Sequence, residues 1–415
     1  MSTAKYKRKL VFYMLLFCVV GFLNLFFLSD GKDITPIIIM VVMLFFIVYS
    51  SILVRKLFPD GDMYIYIFSC ILCIIGIMLL YRLDMLNRYL VSINSGDLTN
   101  YGLKQLIWFA IGTTCYILTV ILLPNIKKFK SLRYIYLIIT VVLISLPSFF
   151  GEEIFGAKNW IVIKGFSFQP SEFAKLTLVF YLASALKEYK KSKDLIEPAI
   201  VVMICLFFMV AQKDLGSALI FFGISLTMLY ISTNKIKYIL TCIVLFLLGG
   251  YGSYVKFYHV KMRVLVWLNP FAYASDSGYQ IIQSLIAISE GGLFGKGLGF
   301  GHPEYIPVNA SDFIFSVLCE DMGIVMGFAV LIIYFLLFYR CMRVGVYVKD
   351  NFSRMVAVGY SAMIACQVLV IVGGVTKLVP LTGITLPLIS YGGSSMLTTF
   401  FALGIIQKVS EEEKN

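Results

Sequence analysis

Ile34-Thr-Pro-Ile-Ile-Ile-Met-Val-Val-Met-Leu-Phe-Phe-Ile-Val-Tyr-Ser-Ser-Ile-Leu-Val54 carries no charge, and Arg55-Lys56 ends it. A helix needs a run of roughly 20 apolar residues to cross a bilayer. Working outward, the pattern recurs along the whole chain. Twelve stretches of this kind run near 10–28, 34–54, 63–80, 104–123, 133–150, 171–187, 196–211, 215–232, 237–255, 312–340, 355–374 and 385–408. Of the 415 residues, 60% are hydrophobic and 14% are charged, against about 25% charged in an ordinary soluble domain. This balance excludes a soluble enzyme with a membrane tail, a disordered chain and a disulfide scaffold. Strands of a membrane barrel are short and alternating, which these runs are not. The expected fold is therefore an all-α polytopic membrane protein of about twelve transmembrane helices, with little outside the bilayer. No small-residue cleavage site follows the first stretch, so it reads as a span rather than a removable signal.

A net charge of +12 is the kind of excess that nucleic-acid binding uses. Its distribution points to topology instead. With the N-terminus placed inside, the inner segments hold 22 Lys and Arg residues against 12 outside. The positive-inside rule and the even span number then agree that both termini are cytoplasmic. No nucleic-acid partner is expected. The nine cysteines lie mostly inside apolar runs, Cys70-x-x-Cys73 included, and read as buried and inert. Two histidines, His259 and His302, cannot build a histidine-rich metal site. The pair 196–211 and 215–232 reads as a helical hairpin, with Gln212-Lys213-Asp214 as a charged outer turn. A long outer segment, 256–311, separates the ninth and tenth spans, and a shorter one covers 151–170.

Four polar constellations stand where a membrane should not tolerate them. In Gln169-Pro-Ser-Glu172-Phe-Ala-Lys175, Pro170 suits a first helical turn and Glu172 suits the positive end of the dipole. Glu172 and Lys175 share one helical face. They form either a self-paired salt bridge or the lining of a polar groove. The outer segment carries Lys256, Lys261, Arg263 and Lys296. Residues 278–289 of that segment resemble an amphipathic interfacial helix. The glycine-rich run Gly291 to Gly301 follows, holding Lys296, and matches no nucleotide motif. It is either a flexible loop or backbone able to approach an anion closely. Asp312 stands where the chain re-enters the membrane, as a cap or as something more, and Glu320 and Asp321 lie two turns deeper. The run Val375 to Ser395 mixes Pro380, Pro387, glycines and hydroxyls. It predicts a re-entrant or broken helix, tolerable only against protein or a water-lined cavity.

Taken in order, these residues resemble the SEDS family (RodA/FtsW/SpoVE) over about 63–409. The resemblance rests on Gly156-Ala157…Trp160, Gln169-Pro-Ser-Glu172…Lys175, Asp214-Leu-Gly-Ser-Ala218, Asn269-Pro270, Gly278-Tyr-Gln280…Gln283-Ser284, Gly295-Lys-Gly297, Asp312-Phe-Ile-Phe315 and Ile389-Ser-Tyr-Gly-Gly-Ser-Ser395. Asn159, Lys213, Glu290 and Val308 depart from the family pattern and mark a divergent subgroup. The resemblance implies a ten-helix core at 61–410 containing the outer loop 256–311. It also implies two additional N-terminal helices within 1–60 and a cytoplasmic tail at 411–415. The implied activity is polymerisation of lipid II, the undecaprenyl-pyrophosphate-linked disaccharide peptide, into glycan strands at the outer face of a bacterial cytoplasmic membrane. A class B penicillin-binding protein is the implied transpeptidase partner. Asp312 falls on the family's essential aspartate, Glu172 and Lys175 on its carboxylate and lysine, and Trp160 on its outer-loop tryptophan.

The chemistry is consistent with that implication. Glycosidases commonly need two carboxylates, one of them to protonate a poor leaving group. A sugar leaving as a lipid pyrophosphate already has a good one, so a single base can suffice with cations to offset the departing charge. Asp312 is the expected base, acting with inversion. Lys175, Arg263 and Lys296 are the expected phosphate partners, and Gln169, Trp160 and Glu172 the groove. No cofactor is certain, and no ligand cluster is evident for the Mg or Mn ion that could assist. A precursor flippase would instead lean on Glu320 or Asp321, and a scaffold would be indifferent to Asp312.

Overall fold

The computed structural model describes residues 3–94, 100–154, 156–163 and 166–412. Helices account for most of the chain: α1 (Thr3–Leu28), α2 (Thr35–Leu57), α3 (Met63–Asn94), α4 (Tyr101–Leu122), α5 (Arg133–Phe150), α6 (Pro170–Leu186), α7 (Ile196–Ala211), α8 (Leu215–Thr233), α9 (Ile236–Lys256), α10 (Tyr258–Leu268), α11 (Tyr279–Gly291), α12 (Ile314–Tyr347), α13 (Asn351–Val375) and α14 (Gly393–Glu412). Among the described residues, ten helices are long and apolar enough to cross a membrane. Helix α6, 17 residues long and buried along most of its length, and α14 stand outside that set. The protein is an all-α, multi-pass membrane protein. Between α5 and α6 it adds a small antiparallel sheet, β1 (Glu152–Ile154), β2 (Ala157–Ile163) and β3 (Phe166–Phe168), in the order β1-β2-β3.

Helix boundaries differ from the sequence expectation at several places: α1 starts at Thr3 and α12 runs on to Tyr347. Helix α3 continues past residue 80 to Asn94. Its Arg82 and Asp84 are polar enough to end an apolar run, yet both are only 2% exposed because protein partners meet them. The hairpin turn between α7 and α8 is charged, and two of its three side chains are turned inward: Gln212 and Asp214 are buried, and Gln212 donates to the Ile144 carbonyl at 2.7 Å. The last helix begins at Gly393 rather than near 385. Helix α11 is amphipathic as expected, but its Ile281, Ser284, Ala287 and Gly291 face is buried. Ser284 meets Ser316 of α12 at 2.7 Å, so α11 packs on protein.

Residues 376–392 form a non-helical strap that is buried over much of its length between α13 and α14. Backbone in such a place must find every partner inside the protein. Gln105 of α4 donates to the Ser390 carbonyl at 2.9 Å, and Gln367 of α13 to the Thr385 carbonyl at 2.9 Å. Tyr334 of α12 donates to Pro387. Trp267 of α10 donates to Lys377 at 3.0 Å. The strap fits because glycine removes side chains from its walls. A Cβ on Gly76 of α3 would stand 2.6 Å from the Ile389 carbonyl oxygen, and one on Gly216 of α8 would stand 2.3 Å from Ile384.

The α1–α2 hairpin packs on α3 and α4. Asp33 in its turn pairs with Arg88 of α3 at 2.9 Å. Gly76→Ala forces the strap backbone off α3, an overpacking of the kind that costs about 1–3 kcal/mol. Its thermal midpoint in detergent is expected to fall, whereas Gly250→Ala, in open space, leaves the midpoint at or above the parent value.

Candidate functional site

Asp312 sits just before α12, on the loop 308–313 that the strap pins. Ser390 donates to the Ser311 carbonyl at 2.5 Å, and the Tyr391 amide to the Ala310 carbonyl at 2.9 Å. The strap turns at Gly383, whose φ of +70° suits glycine. A Cβ built there would lie 3.5 Å from Asp312 Oδ2, so the turn faces the carboxylate directly. Asp312 is half-buried. Loss of hydration pushes its carboxyl up to about 6, against the lowering pull of a hydrogen bond from Ser311 and the nearby charge of Arg263.

Arg263 reaches this point from α10. Its guanidinium donates to the Thr382 and Leu381 carbonyls at 3.1 and 3.3 Å. Burial lowers its pKa, while Asp214 and then Asp312 raise it. The arginine therefore holds the strap and stands between two carboxylates. Asp214 caps α8: it accepts from the Ser217 amide at 3.0 Å and the Ser217 hydroxyl at 2.8 Å. It also accepts from Asn159 at 2.9 Å and from Gln169 at 3.1 Å. Sequence reasoning left Asp214 out of the site. The available signal was an acidic residue directly before an apolar helix, with Ser217 three places on.

Glu172 and Lys175 form a buried pair at 2.8 Å, with Lys175 1% exposed. Lys175 also donates to Gln367 at 2.9 Å, and Thr398 donates to Glu172 at 3.2 Å. Through Gln367 this network reaches Thr385, two residues along the strap from Gly383. The pair is thus both self-paired and continuous with the strap beside Asp312. Trp160 stands apart. Strand neighbours point to opposite faces, so with Asn159 turned onto Asp214 the half-buried indole of Trp160 lies on the other side of β2.

Lys296 does not join Asp312. It pairs with Glu290 and, at 3.1 Å, with Glu320. Hydrogen bonding to Glu290 and then Glu320 offsets desolvation and raises its pKa. The glycine run around it is neither a free loop nor an open anion site. Helix α12 is broken at Gly323, with φ 81° and ψ 167°, and the run is spliced into the break. The Lys296 and Gly297 amides donate to the Glu320 and Asp321 carbonyls, both at 2.9 Å. The Ile324 and Val325 amides donate to Gly292 and Leu293 at 3.0 and 3.2 Å. The anions this backbone approaches are the protein's own: Gly301 and Gly299 donate to Asp321 at 3.1 and 3.3 Å, and His302 to Glu320 at 2.8 Å. Among the described residues no group of three or more His, Cys, Asp or Glu converges to hold a metal.

Fold and site together define a polytopic membrane protein with a half-buried acid and a cation beside a non-helical strap. The Cell cycle protein family FtsW/RodA/SpoVE matches residues 62–415, leaving α1 and α2 ahead of the match. Relatives include a peptidoglycan glycosyltransferase RodA of Mycobacterium leprae (strain TN), 31% identical over 88% of this chain and 81% of its own. Stage V sporulation protein E of Bacillus subtilis (strain 168) is 31% identical over 84% and 96%. A probable FtsW of Geobacter metallireducens is 37% identical over 67% and 76%. Among solved structures, one chain comes from work on a peptidoglycan synthase complex and its coordination of polymerization and crosslinking. It superposes with a TM-score of 0.69 at 25% identity, covering 85% of this chain and 98% of that one. The rod shape determining protein RodA of Thermus thermophilus gives 0.61 at 25%, covering 86% and 98%. The chain belongs to the FtsW/RodA/SpoVE family.

Arg263→Gln removes the positive charge that opposes the burial of Asp312. Protonation of that carboxyl, followed by carbodiimide labelling against pH, is expected to move to higher pH than in the parent. An unchanged midpoint would contradict the placement.

Proposed function

We propose that this chain is a peptidoglycan glycosyltransferase that polymerises lipid II at the extracytoplasmic face of the membrane. The observation that carries the reading is Asp312, a carboxyl pushed up to about 6, facing the strap turn and set beside Arg263. A base of that pKa is mostly ionised at neutral pH and still accepts a proton well. Asp312 takes the proton from the 4-hydroxyl of the acceptor sugar. The freed oxygen attacks the donor's anomeric carbon with inversion, and the lipid pyrophosphate departs with the bonding electrons. Arg263 offsets the developing phosphate charge. Polar atoms with no partner among the described residues, Thr382 Oγ1 and Asn159 Oδ1, support a polar ligand in this recess, since buried polar atoms are seldom left unpaired.

Lys175 acts with Glu172 as the ordered floor of the groove, and Gln169 orients Asp214. Lys296, held by two carboxylates, is the weakest of the three cations as a phosphate partner. Trp160 shapes the outer lip from the sheet. The core spans 61–410, α1 and α2 are an addition to it, and both termini including 411–415 are cytoplasmic. The crosslinking partner is a class B penicillin-binding protein. The relative from a peptidoglycan synthase complex supports that choice.

Asp312→Ala and Asp312→Asn are expected to abolish glycan strands when the purified chain is supplied with labelled lipid II. Strand formation at the parent rate would sink the assignment. In the parent, the rate should fall as pH drops through about 6, because a protonated base cannot accept. A flat profile down to pH 4.5 would contradict a base of that acidity.

A further inference from the structure

The break in α12 divides it into a short first segment, Ile314–Met322, and the remainder after Gly323. Asp312 stands directly ahead of the short segment. The short segment is buried along 314–321 and is held by an ion pair at its far end. There Arg82 of α3 donates to Asp321 at 2.9 Å and to the Gly301 carbonyl at 2.7 Å. Both side chains are almost completely enclosed, at 2% and 0% exposure. The other oxygen of Asp321 takes the Gly301 amide, so the glycine run, α3 and the end of the short segment meet at one ion pair. Leu28, the last residue of α1, packs against Gly299 in the same run.

We propose that Arg82 and Asp321 are positioning residues for the reaction, setting the angle of segment 314–322 and through it the place of Asp312. This rests on the polymerase reading above. Nine helical residues span about 13 Å, so a tilt of a few degrees at Asp321 displaces the far end by a substantial part of an ångström. Displacements of about 1 Å can cost roughly a hundredfold in rate. Arg263, Lys175 and Gln169, the main groups assigned to phosphate and groove, lie on α10, α6 and the residue before α6 and do not ride on this lever. Lys296, the weakest of the assigned cations, sits in the glycine run at the lever's held end. Loosening it should therefore impair turnover and spare substrate binding.

The test uses the purified full chain, alone and with its co-expressed class B penicillin-binding protein, and labelled lipid II. Arg82→Gln is expected to lower kcat about tenfold or more while KM stays within about twofold. Arg82→Lys keeps the charge toward Asp321 and should recover part of kcat. Asp321→Asn should behave as Arg82→Gln. Elution profile and thermal midpoint establish that each variant is folded. A kcat within twofold of the parent in folded Arg82→Gln, or a rise in KM at constant kcat, overturns the positioning role. So does a loss of folding in all three variants, which would assign the pair to stability alone. A parent chain that makes no glycan overturns the polymerase reading itself, whereas an active parent with an indifferent Arg82→Gln overturns only this inference.

Discussion

Non-helical backbone buried among helices has little water to complete its hydrogen bonds, and the strap 376–392 places that demand at its inner part, 382–390. Each unsatisfied peptide group there would cost several kcal/mol. Gln105, Gln367, Tyr334, Trp267 and Arg263 answer it from four different helices. The positions of those helices follow from the need to reach the strap. So do the glycines that let α3 and α8 approach it closely. Arg263 is the point at which this structural demand and the chemistry coincide. It binds strap carbonyls, and its charge acts on Asp312.

The second organising feature is the broken helix α12. A break normally exposes carbonyls and amides at both new ends. Here the glycine run supplies partners for both, and its own amides go on to the Glu320 and Asp321 side chains. Gly295 and Gly323 are required in this arrangement. Each has a positive φ and stands with its missing Cβ 2.3 Å from a facing carbonyl oxygen. The splice fixes a deep cluster of charges at one end of a short buried segment, with Asp312 directly ahead of its other end.

Much of this was legible in the sequence because lipid imposes a simple rule: a long uncharged run must be a span. The positions of α2, α4, α5 and α7 to α9 follow from it closely. The rule fails where a polar side chain has a partner from elsewhere in the chain. Arg82 and Asp84 look like the end of a span, but Arg82 meets Asp321 and Asp84 accepts the Tyr101 and Gly102 amides, so α3 continues. The order of polar motifs picked out Asp312, Glu172, Lys175, Gln169 and Arg263. It could not separate Lys296 from them, since only the splice turns that lysine toward Glu290 and Glu320. Asp214 stood in a quoted motif but was not placed in the site, because its partners Asn159 and Gln169 and the nearby Arg263 are distant in sequence.

Asp312 and Arg263 act on one substrate beside the strap if this chain is the proposed polymerase. An experimental structure of the full chain with a non-reactive lipid II analogue tests this most directly. The pyrophosphate is expected in ion-pair contact with Arg263, and a sugar hydroxyl hydrogen-bonded to Asp312. A headgroup seated instead on Lys296 and the Glu320 cluster, with Asp312 facing no ligand, would contradict it.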